Sequence, residues 1–446
     1  MTLHPLSRPS KAVDGWEVAA AHAAVFIIAI RYRFSPDVPI GFLLAACVIP
    51  VTLRHLSRYR GAVTISVLAL LSAISGLLLT MGHVSLGNVS GSLALVQTAR
   101  MVGLALVLAA LLWARSLLGI PRLILVFGLG SLVSLVVSGV NSDNVWKFSL
   151  SVPITLILLS LPGISRHRWG QVGMALMLVA VSALNDSRSA AGLLLVAIAL
   201  TVTQRGAVTQ SGAQWPGTRD GWRAWTALAR VALVGAGGFL IVQSAILDGM
   251  LGESARNRTI AQISQSGSSL VGGRPEMGAA LALVTDRPWG YGAGTLATYA
   301  NIMLGKTGMH SLGYDPNNGY VEKYMFGYGI EVHSVLGDLW ILFGFAGALL
   351  AVTVAAFALF GLGDLLSRGA ATTITTFLVL RLAWDFAFSP IASAMPLLPL
   401  TLAVALPALT GALAPQRSTP PNSGQPSRLT HAPPRHSAIE TSEARW

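Results

Sequence analysis

The sequence predicts an all-α polytopic membrane protein with about twelve transmembrane helices and one large extracytoplasmic loop that contains short helices. Only 11% of its 446 residues are charged, whereas a soluble domain carries about 25%. The mean hydropathy is +0.64, and apolar runs recur as far as residue 413. Because these runs are continuous rather than alternating, they indicate helices and not the strands of a membrane barrel.

The predicted spans differ in length. The second, seventh and eighth are short for a bilayer that needs about 20 residues, so we expect them to be tilted, broken or enclosed by other helices. The twelve spans are predicted at 16–31, 38–53, 61–81, 92–113, 121–140, 148–164, 170–185, 189–204, 225–247, 334–360, 371–389 and 392–413.

The positive residues alternate between the loops as they do across a cell membrane, where cytoplasmic loops are enriched in Lys and Arg. The loops predicted to be cytoplasmic hold Arg54, Arg58, Arg60, Arg115, Arg122, Arg166, Arg168, Arg205, Arg219, Arg223 and Arg368, and the short external loops hold Arg31, Arg33, Lys147 and Arg188. We therefore expect a multi-pass protein of the inner (plasma) membrane with both termini in the cytoplasm. The net charge of +12 follows from this topology. The sequence contains no basic soluble face of the kind that binds nucleic acid, so we expect no nucleic-acid partner.

The spans divide the chain into five segments. They are a cytoplasmic N-terminus (1–15), spans one to nine (16–247), the large external loop (248–333), spans ten to twelve (334–413) and a Pro-, Ser- and Thr-rich tail (414–446). Such a composition predicts disorder for the tail. We expect no cleavable signal peptide, since the start is polar and the first span lacks a small-residue cleavage site. The single cysteine, Cys47, excludes a disulfide framework.

The large loop is the segment where we expect function, because long loops between helices are seldom passive connectors. It carries six basic and seven acidic residues from Asp248 to Glu331. With no strong net field, any anion must be bound by individually placed arginines. No His, Asp or Glu cluster has metal-ligand spacing and there is no Asp-x-Asp. We therefore predict metal-independent chemistry without a cofactor, in which arginines stabilise negative charge.

Arg188 lies in the short turn Asn185-Asp186-Ser187-Arg188 between two spans. One interpretation is an interfacial arginine that reaches the lipid headgroups and pairs with Asp186. The other is a functional charge at the external membrane surface.

Arg274 precedes a predicted short helix that begins near Pro275 and Glu276, residues suited to a helix start. A helix N-terminus favours anions, and an arginine placed there can bind phosphate through two hydrogen bonds. The alternative is a solvated arginine at a turn.

The run Gly290-Tyr291-Gly292-Ala293-Gly294 resembles a phosphate-binding loop only superficially, because it lacks the Gly-Lys-Ser/Thr ending and no strand precedes it. Its glycines are better explained by tight turns or by close approach of the backbone to a ligand. Trp289 and Tyr291 are suited either to stacking on sugar or lipid or to the interfacial aromatic belt.

His333 is predicted at the external surface, where the tenth span begins. A histidine there can act as a general base if a neighbour, such as Glu331 or Asp338, orients its second nitrogen. The alternative is an interfacial histidine without a role. His310 is a weaker candidate in a Gly- and Asn-rich part of the loop.

Arg381 and Asp385 are four residues apart and form either a self-contained ion pair or part of a cavity lining, and Arg100 is equally ambiguous.

Three segments, in order and spacing, resemble motifs of the O-antigen ligase and O-antigen polymerase superfamily of polytopic envelope enzymes, over roughly residues 183–350. The turn that ends in Arg188 resembles the family's Ser-Arg. Gly273-Arg274 with the run Arg287 to Gly294 resembles its Gly-Arg…Pro-x-Gly-x-Gly. Val332-His333-Ser334 with Phe343-Gly344-Phe345-Ala346-Gly347 resembles its His-Asn…Gly-x-x-Gly, although Ser334 stands where the family often has Asn.

The resemblance implies a membrane glycosyltransferase, either a ligase or a polymerase, that moves a glycan from a polyprenyl-diphosphate carrier to an acceptor at the outer face of the membrane. Arg188 and Arg274 would bind the donor diphosphate, and His333 would deprotonate the acceptor hydroxyl. The partners would be the lipid-linked donor, a glycan or lipid acceptor and membrane lipids. Candidate helpers are Arg256, Arg258, Arg287, Glu331 and Asp338.

Two other functions are open. A transporter or flippase for a lipid-linked glycan or another anion predicts charges along a path through both leaflets, and neither an internal repeat nor paired broken helices are evident in the sequence. A non-catalytic assembly protein, whose loop recruits partners, predicts that His333→Ala is harmless.

Overall fold

The structure, a computed structural model, describes residues 15–35, 38–140, 143–204, 218–249, 252–266, 274–317 and 319–409, and most of these residues are in helices. These residues belong to one unit, 12–413. The predicted cytoplasmic N-terminus, apart from residue 15, and the predicted disordered tail (414–446) lie outside the described residues.

The first part of the chain contains eleven helices and one short hairpin within its described ranges. They are α1 (Gly15–Ala29), β1 (Arg33–Ser35), β2 (Val38–Pro39), α2 (Ile40–Cys47), α3 (Ile49–Leu56), α4 (Ala62–Met81), α5 (Gly91–Leu118), α6 (Ile120–Ser138), α7 (Ser151–Ser160), α8 (Pro162–Ser165), α9 (Arg168–Leu184), α10 (Arg188–Thr203) and α11 (Thr218–Leu247). A π-helical turn, Trp146–Leu150, leads into α7.

The second part contains the large loop and the last helices. They are α12 (Glu253–Ser266), α13 (Glu276–Asp286), α14 (Tyr299–His310), α15 (Val335–Ser367), α16 (Thr373–Phe388), α17 (Ile391–Ala394) and α18 (Leu398–Ala405). A π-helical turn, Val321–Met325, precedes α15. The loop therefore contains short helices, as predicted.

Each of the twelve predicted spans coincides with a helix or a helix pair of the described chain. The second is a pair, α2 and α3, which break at Val48. The last is the pair α17 and α18. Among the residues that the structure describes, four helical segments are long and apolar enough to cross a membrane, namely Ala62–Leu86, Gly91–Leu118, Ile120–Ser138 and Val335–Ser367. The all-α, membrane-type fold is thus confirmed, and the count of twelve spans stays a prediction.

Several hydrogen bonds join one inter-helix loop to another at the same end of the bundle, and they agree with the sides that the charge pattern predicts for these loops. At one end Ser90 N donates to Gly294 O at 2.8 Å, and Asn144 Nδ2 donates to Asn185 O at 2.8 Å. At the other end Arg60 N donates to Pro407 O at 3.0 Å. These contacts join loops that the positive residues assign to the same side of the membrane.

The glycine run of the large loop is built into the bundle. Ala293 N donates to Gly76 O on α4 at 3.1 Å, and Gly294 N donates to Thr80 Oγ1 at 2.9 Å. A Cβ on Gly292 would lie 2.6 Å from Thr80 N. The glycines therefore permit close approach of the loop backbone to a helix.

Helix α15 kinks where this run passes it. Gly344 has φ 64° and ψ −148° inside the helix, and a Cβ there would overlap Trp289 O. The carbonyls freed by the kink find other donors, since Tyr291 N donates to Ile341 O at 2.7 Å and Ser75 Oγ donates to Phe343 O at 2.8 Å. Such compensation is what makes a broken helix tolerable in lipid.

We predict that Gly344→Ala lowers the apparent melting temperature of the purified protein. A side chain at this combination of φ and ψ, which is essentially restricted to glycine, costs about 1–3 kcal/mol before the overlap with Trp289 is counted. Gly173→Ala on α9 is the matched control, because a Cβ at Gly173 would have no neighbour within 4 Å, and it should leave the melting temperature unchanged or slightly raised. Equal melting temperatures for the two variants would show that the kink is not required.

Candidate functional site

His333 lies immediately before α15 in a strained backbone conformation. Its φ is +54°, in the left-handed region that non-glycine residues seldom adopt. Such strain costs about 1–3 kcal/mol and persists where surrounding contacts impose it, often at functional sites. The neighbouring contacts are strong: Val332 N donates to Asp338 Oδ1 at 2.6 Å, and Ser334 Oγ donates to Phe386 O at 2.8 Å.

The imidazole of His333 faces a tyrosine and a glutamate that are distant in sequence. Tyr320 Oη lies 3.1 Å from His333 Nδ1 and 2.6 Å from Glu276 Oε1. The direct distance from His333 Nδ1 to Glu276 Oε1 is 3.8 Å, which is too long for a hydrogen bond. Glu276 is 8% exposed and stands in the first turn of α13. Sequence reasoning assigned no site role to Glu276 and did not consider Tyr320.

The hydrogen-bond directions in this cluster follow from chemistry. Burial and then the charge of Glu276 raise the pKa of Tyr320, so its hydroxyl keeps its proton. An ionised carboxylate accepts but cannot donate, so the hydroxyl donates to Glu276. The oxygen of Tyr320 is then left as an acceptor, and the hydrogen bond from His333 requires a proton on Nδ1.

Charge in the cluster favours an ion pair at rest. Burial lowers the pKa of His333, but Glu276, followed by Asp338 and Glu331, outweighs burial and raises it above its ordinary value. Burial raises the pKa of Glu276, but His333 and Tyr320 together outweigh burial and lower it. The Glu276–His333 ion pair therefore stabilises the folded protein at pH values between these two pKa values. Its contribution is lost as pH rises through the raised histidine pKa or falls through the lowered glutamate pKa.

The second nitrogen of the imidazole is on the exposed side of the site. His333 Nε2 lies 3.3 Å from Tyr324 O, a carbonyl within the π-helical turn. Because a carbonyl can only accept, this contact also fits a protonated imidazole. When Nε2 loses its proton, it becomes an acceptor that can bind an incoming hydroxyl in place of Tyr324.

Arg274 lies two residues before Glu276 and is stacked on aromatic rings of α16. Its Cζ is 5.6 Å from the ring centroids of both Trp384 and Phe388, within the range of cation–π attraction. No residue that the structure describes accepts a hydrogen bond from its guanidinium. The charge of Arg274 acts on Tyr320 and lowers that group's pKa, against the larger opposing effects. Gly272 and Gly273 lie outside the described residues.

Arg188 lies at the same end of α16 as the ring pair that stacks on Arg274. Thr373 Oγ1 at the start of α16 donates to Thr201 Oγ1 near the end of α10 at 3.2 Å, and the two helices pack along their length. They are therefore antiparallel. Arg188 is about 20 Å from Thr201 along α10, and the same distance along α16 from Thr373 leads to its last turns. Arg188 therefore lies beside the last turns of α16. Arg188 Nε donates to Asp186 Oδ1 at 3.0 Å, and Asp186 has φ +51°.

The structure revises the choice of the residue that orients the imidazole. Proximity in sequence favoured Glu331 or Asp338, whereas the carboxylate nearest to His333 is that of Glu276. Asp338 is fully buried, and its oxygens accept from Val332 N and, at 2.9 Å, from Ile391 N. Glu331 contributes charge at longer range, and its Oε1 is buried without a partner among the described residues.

The arginine helpers are not all brought to this cluster. Arg256 pairs with Glu253 on its own helix at 3.6 Å, and the side chain of Arg258 lies outside the described residues. Arg287 stacks on Tyr291, 5.7 Å from the ring centroid. It is separated from Arg274 by α13, whose 11 residues extend about 16 Å.

Arg381 and Asp385 form the ion pair expected from their spacing, with Arg381 Nε 2.9 Å from Asp385 Oδ1. Ser389 Oγ also donates to that carboxylate, at 2.6 Å. Arg100 donates to Gln97 Oε1 at 2.8 Å.

Within the described ranges, no group of three His, Cys, Asp or Glu residues is arranged to hold a metal ion.

No protein-family model, curated protein or solved structure matches this chain.

We predict that Asp338→Ala destabilises the protein and loosens the segment around His333. The substitution leaves the buried amides of Val332 and Ile391 without acceptors, at about 1–3 kcal/mol each. The control is Asp364→Asn on the same helix, whose ion pair with the half-exposed Arg368 is worth under about 1 kcal/mol. The measurements are the melting temperature and the rate of limited proteolysis near residue 333. An unchanged melting temperature and an unchanged cleavage rate would contradict this role for Asp338.

Proposed function

We propose that this chain is a membrane glycosyltransferase of the O-antigen ligase or polysaccharide polymerase type. It moves a glycan from a polyprenyl-diphosphate carrier to an acceptor hydroxyl at the external face of the membrane, without a metal and with inversion at the anomeric carbon. The observation that supports it best is an arginine whose guanidinium donates to none of the described residues and whose charge acts on Tyr320, together with the oriented imidazole that Tyr320 contacts, within an apolar helical protein.

Arg274 is suited to binding the donor diphosphate. Its guanidinium lies within cation–π range of Trp384 and Phe388, and because no described residue accepts from its N–H groups, they can donate to two phosphate oxygens. Fixed positive charge at this position is most effective when the leaving group gains negative charge, because it needs no reorganisation at that moment.

Arg188 is the second arginine assigned to the diphosphate. Its bond to Asp186 uses Nε, and no described residue accepts from the two terminal nitrogens of the guanidinium, so they can donate to phosphate oxygens. The strained turn at Asp186 and the antiparallel packing of α10 on α16 keep this arginine at the same end of α16 as the Arg274 stack.

His333 is the proposed base. In its neutral form Nε2 accepts the proton of the acceptor hydroxyl, and the oxygen forms a bond to the anomeric carbon of the donor. The bond from that carbon to the diphosphate oxygen breaks, and its electron pair leaves with the polyprenyl diphosphate. A base whose pKa is raised toward the working pH is well matched to this step.

The proposal includes the membrane arrangement derived from the charge pattern. Twelve spans place both termini in the cytoplasm and the site at the periplasmic or extracellular side of the inner (plasma) membrane. Both the donor lipid and membrane lipids would then contact the outer ends of the spans, and no nucleic acid is involved.

We predict that Arg274→Ala and Arg188→Ala abolish transfer at normal protein level, and that His333→Ala lowers the rate by about 10²–10⁴. Arg274→Lys should not restore transfer, because an ammonium cannot form the two parallel hydrogen bonds of a guanidinium. The measurement is the surface glycan of a deletion strain, sized on a gel after complementation. Arg122→Ala is the matched control, since Arg122 is exposed at the opposite end of the bundle.

The same gel distinguishes the two types of transferase. Loss of long chains with single units still attached indicates a polymerase, and loss of attachment with polymer on the carrier indicates a ligase. Wild-type glycan from the His333→Ala variant would contradict the base mechanism. Wild-type glycan from Arg274→Ala would contradict the diphosphate assignment.

A further inference from the structure

We infer that Tyr320 is a positioning residue that connects Glu276 to His333 and thereby fixes Nε2 as the nitrogen that meets the acceptor. This inference rests on the proposed function for its chemical consequence, whereas its effect on the titration of His333 can be measured without any substrate.

The hydroxyl of Tyr320 contacts both partners at once, 2.6 Å from the carboxylate and 3.1 Å from the imidazole. Because Glu276 and His333 are too far apart to bond directly, the hydroxyl supplies the connection. It donates to Glu276 and accepts from Nδ1. A proton is thereby held on Nδ1, and the basic lone pair of the neutral imidazole must be on Nε2.

The position of Tyr320 is itself fixed. Its ring contacts those of Tyr324 and Tyr314, with centroids 5.4 and 6.4 Å away, and meets the imidazole edge-on at 89°. The next residues form the π-helical turn, in which Glu322 pairs with Lys306 of α14. Val321 and Met325 of that turn are buried in an apolar core that the large loop forms with Ile341 of α15 and that includes Ala279 and Leu283 of α13.

The groups that face His333 all bear on its protonation. Glu276 and the more distant Asp338 and Glu331 favour the imidazolium, and burial opposes it. On the Tyr320 side, the charge of Arg274 acts in the opposite sense to that of Glu276. Removing the Glu276 charge should therefore make His333 lose its proton at lower pH. Removing the Tyr320 hydroxyl should do the same, because it takes away the acceptor of the Nδ1 proton. It should also free the ring to rotate.

The test uses diethyl pyrocarbonate, which modifies the neutral imidazole, on the purified full-length protein in detergent. Mass spectrometry follows modification of His333 against pH, with the exposed His310 as an internal reference. We expect the midpoint for His333 to lie above about 6.5 in the wild type and to move downward in both Tyr320→Phe and Glu276→Gln. The control is Tyr328→Phe, whose side chain is 94% exposed, and its midpoint should match the wild type.

Transfer assays on the same preparations separate positioning from general structural damage. Tyr320→Phe should lower the plateau rate by about 10- to 10⁴-fold, the range for groups that orient a catalytic histidine. It should also move the acidic limb of the pH profile downward. Damage to the fold would lower the plateau without moving the limb. If Tyr320→Phe does not fold, Glu276→Gln alone must shift the midpoint.

The outcomes for this inference and for the proposed function are distinct. Unshifted midpoints in folded Tyr320→Phe or in Glu276→Gln, with transfer intact in the wild type, would overturn the role of Tyr320 and leave the transferase proposal standing. Shifted midpoints in a protein that transfers no glycan would support the connection through Tyr320 and contradict the transferase.

Discussion

The candidate site depends on one buried carboxylate. Asp338, on the first turn of α15, binds the amide of Val332 before the helix and the amide of Ile391 after α16. These two bonds join the end of the large loop, the start of one long helix and the end of its neighbour. They hold the chain so tightly that His333, between Val332 and Ser334, accepts a left-handed backbone. The imidazole is directed toward Tyr320 by this constraint, and the rings that hold Arg274 are on the helix that Asp338 helps to anchor.

A second constraint is the need to pair backbone groups in lipid. The kink at Gly344 frees carbonyls of α15, and the loop run between Trp289 and Thr295 supplies a donor to one of them while it also bonds to α4. The large loop is therefore part of the helical bundle at one edge and has its own apolar core, around α13 and α14, at the other. This arrangement gives a rigid support for side chains that a mobile loop would not position.

The sequence predicted the helices well because continuous apolar runs and glycine or proline breaks are local signals. The loops that hydrogen bonds join at each end are ones that the positive charges assign to the same side, and which end faces the cytoplasm stays a prediction. Arg188, Arg274 and His333 were chosen from motifs that the fold brings to the last turns of α16 and the start of α15.

Glu276 and Tyr320 were not found as partners of His333, because they are 44 positions apart and share no element. The nearest carboxylates in sequence, Glu331 and Asp338, were therefore preferred, and only the packing of α13 beside the π-helical turn reveals the third carboxylate. The glycine run was predicted to make tight turns or to let the backbone approach a ligand closely, and its composition could not identify α4 as the helix that it approaches.

In the proposed reaction, Arg274 and His333 cooperate in breaking the bond between a glycan and a polyprenyl diphosphate. This cooperation can be measured as release of polyprenyl diphosphate from a labelled lipid-linked glycan by the purified protein in nanodiscs with EDTA present. We expect release that requires an acceptor hydroxyl, is insensitive to EDTA and is lost in Arg274→Ala and His333→Ala but not in Arg122→Ala. No release by the wild type with donor and acceptor supplied, or equal release by His333→Ala, would contradict the proposal.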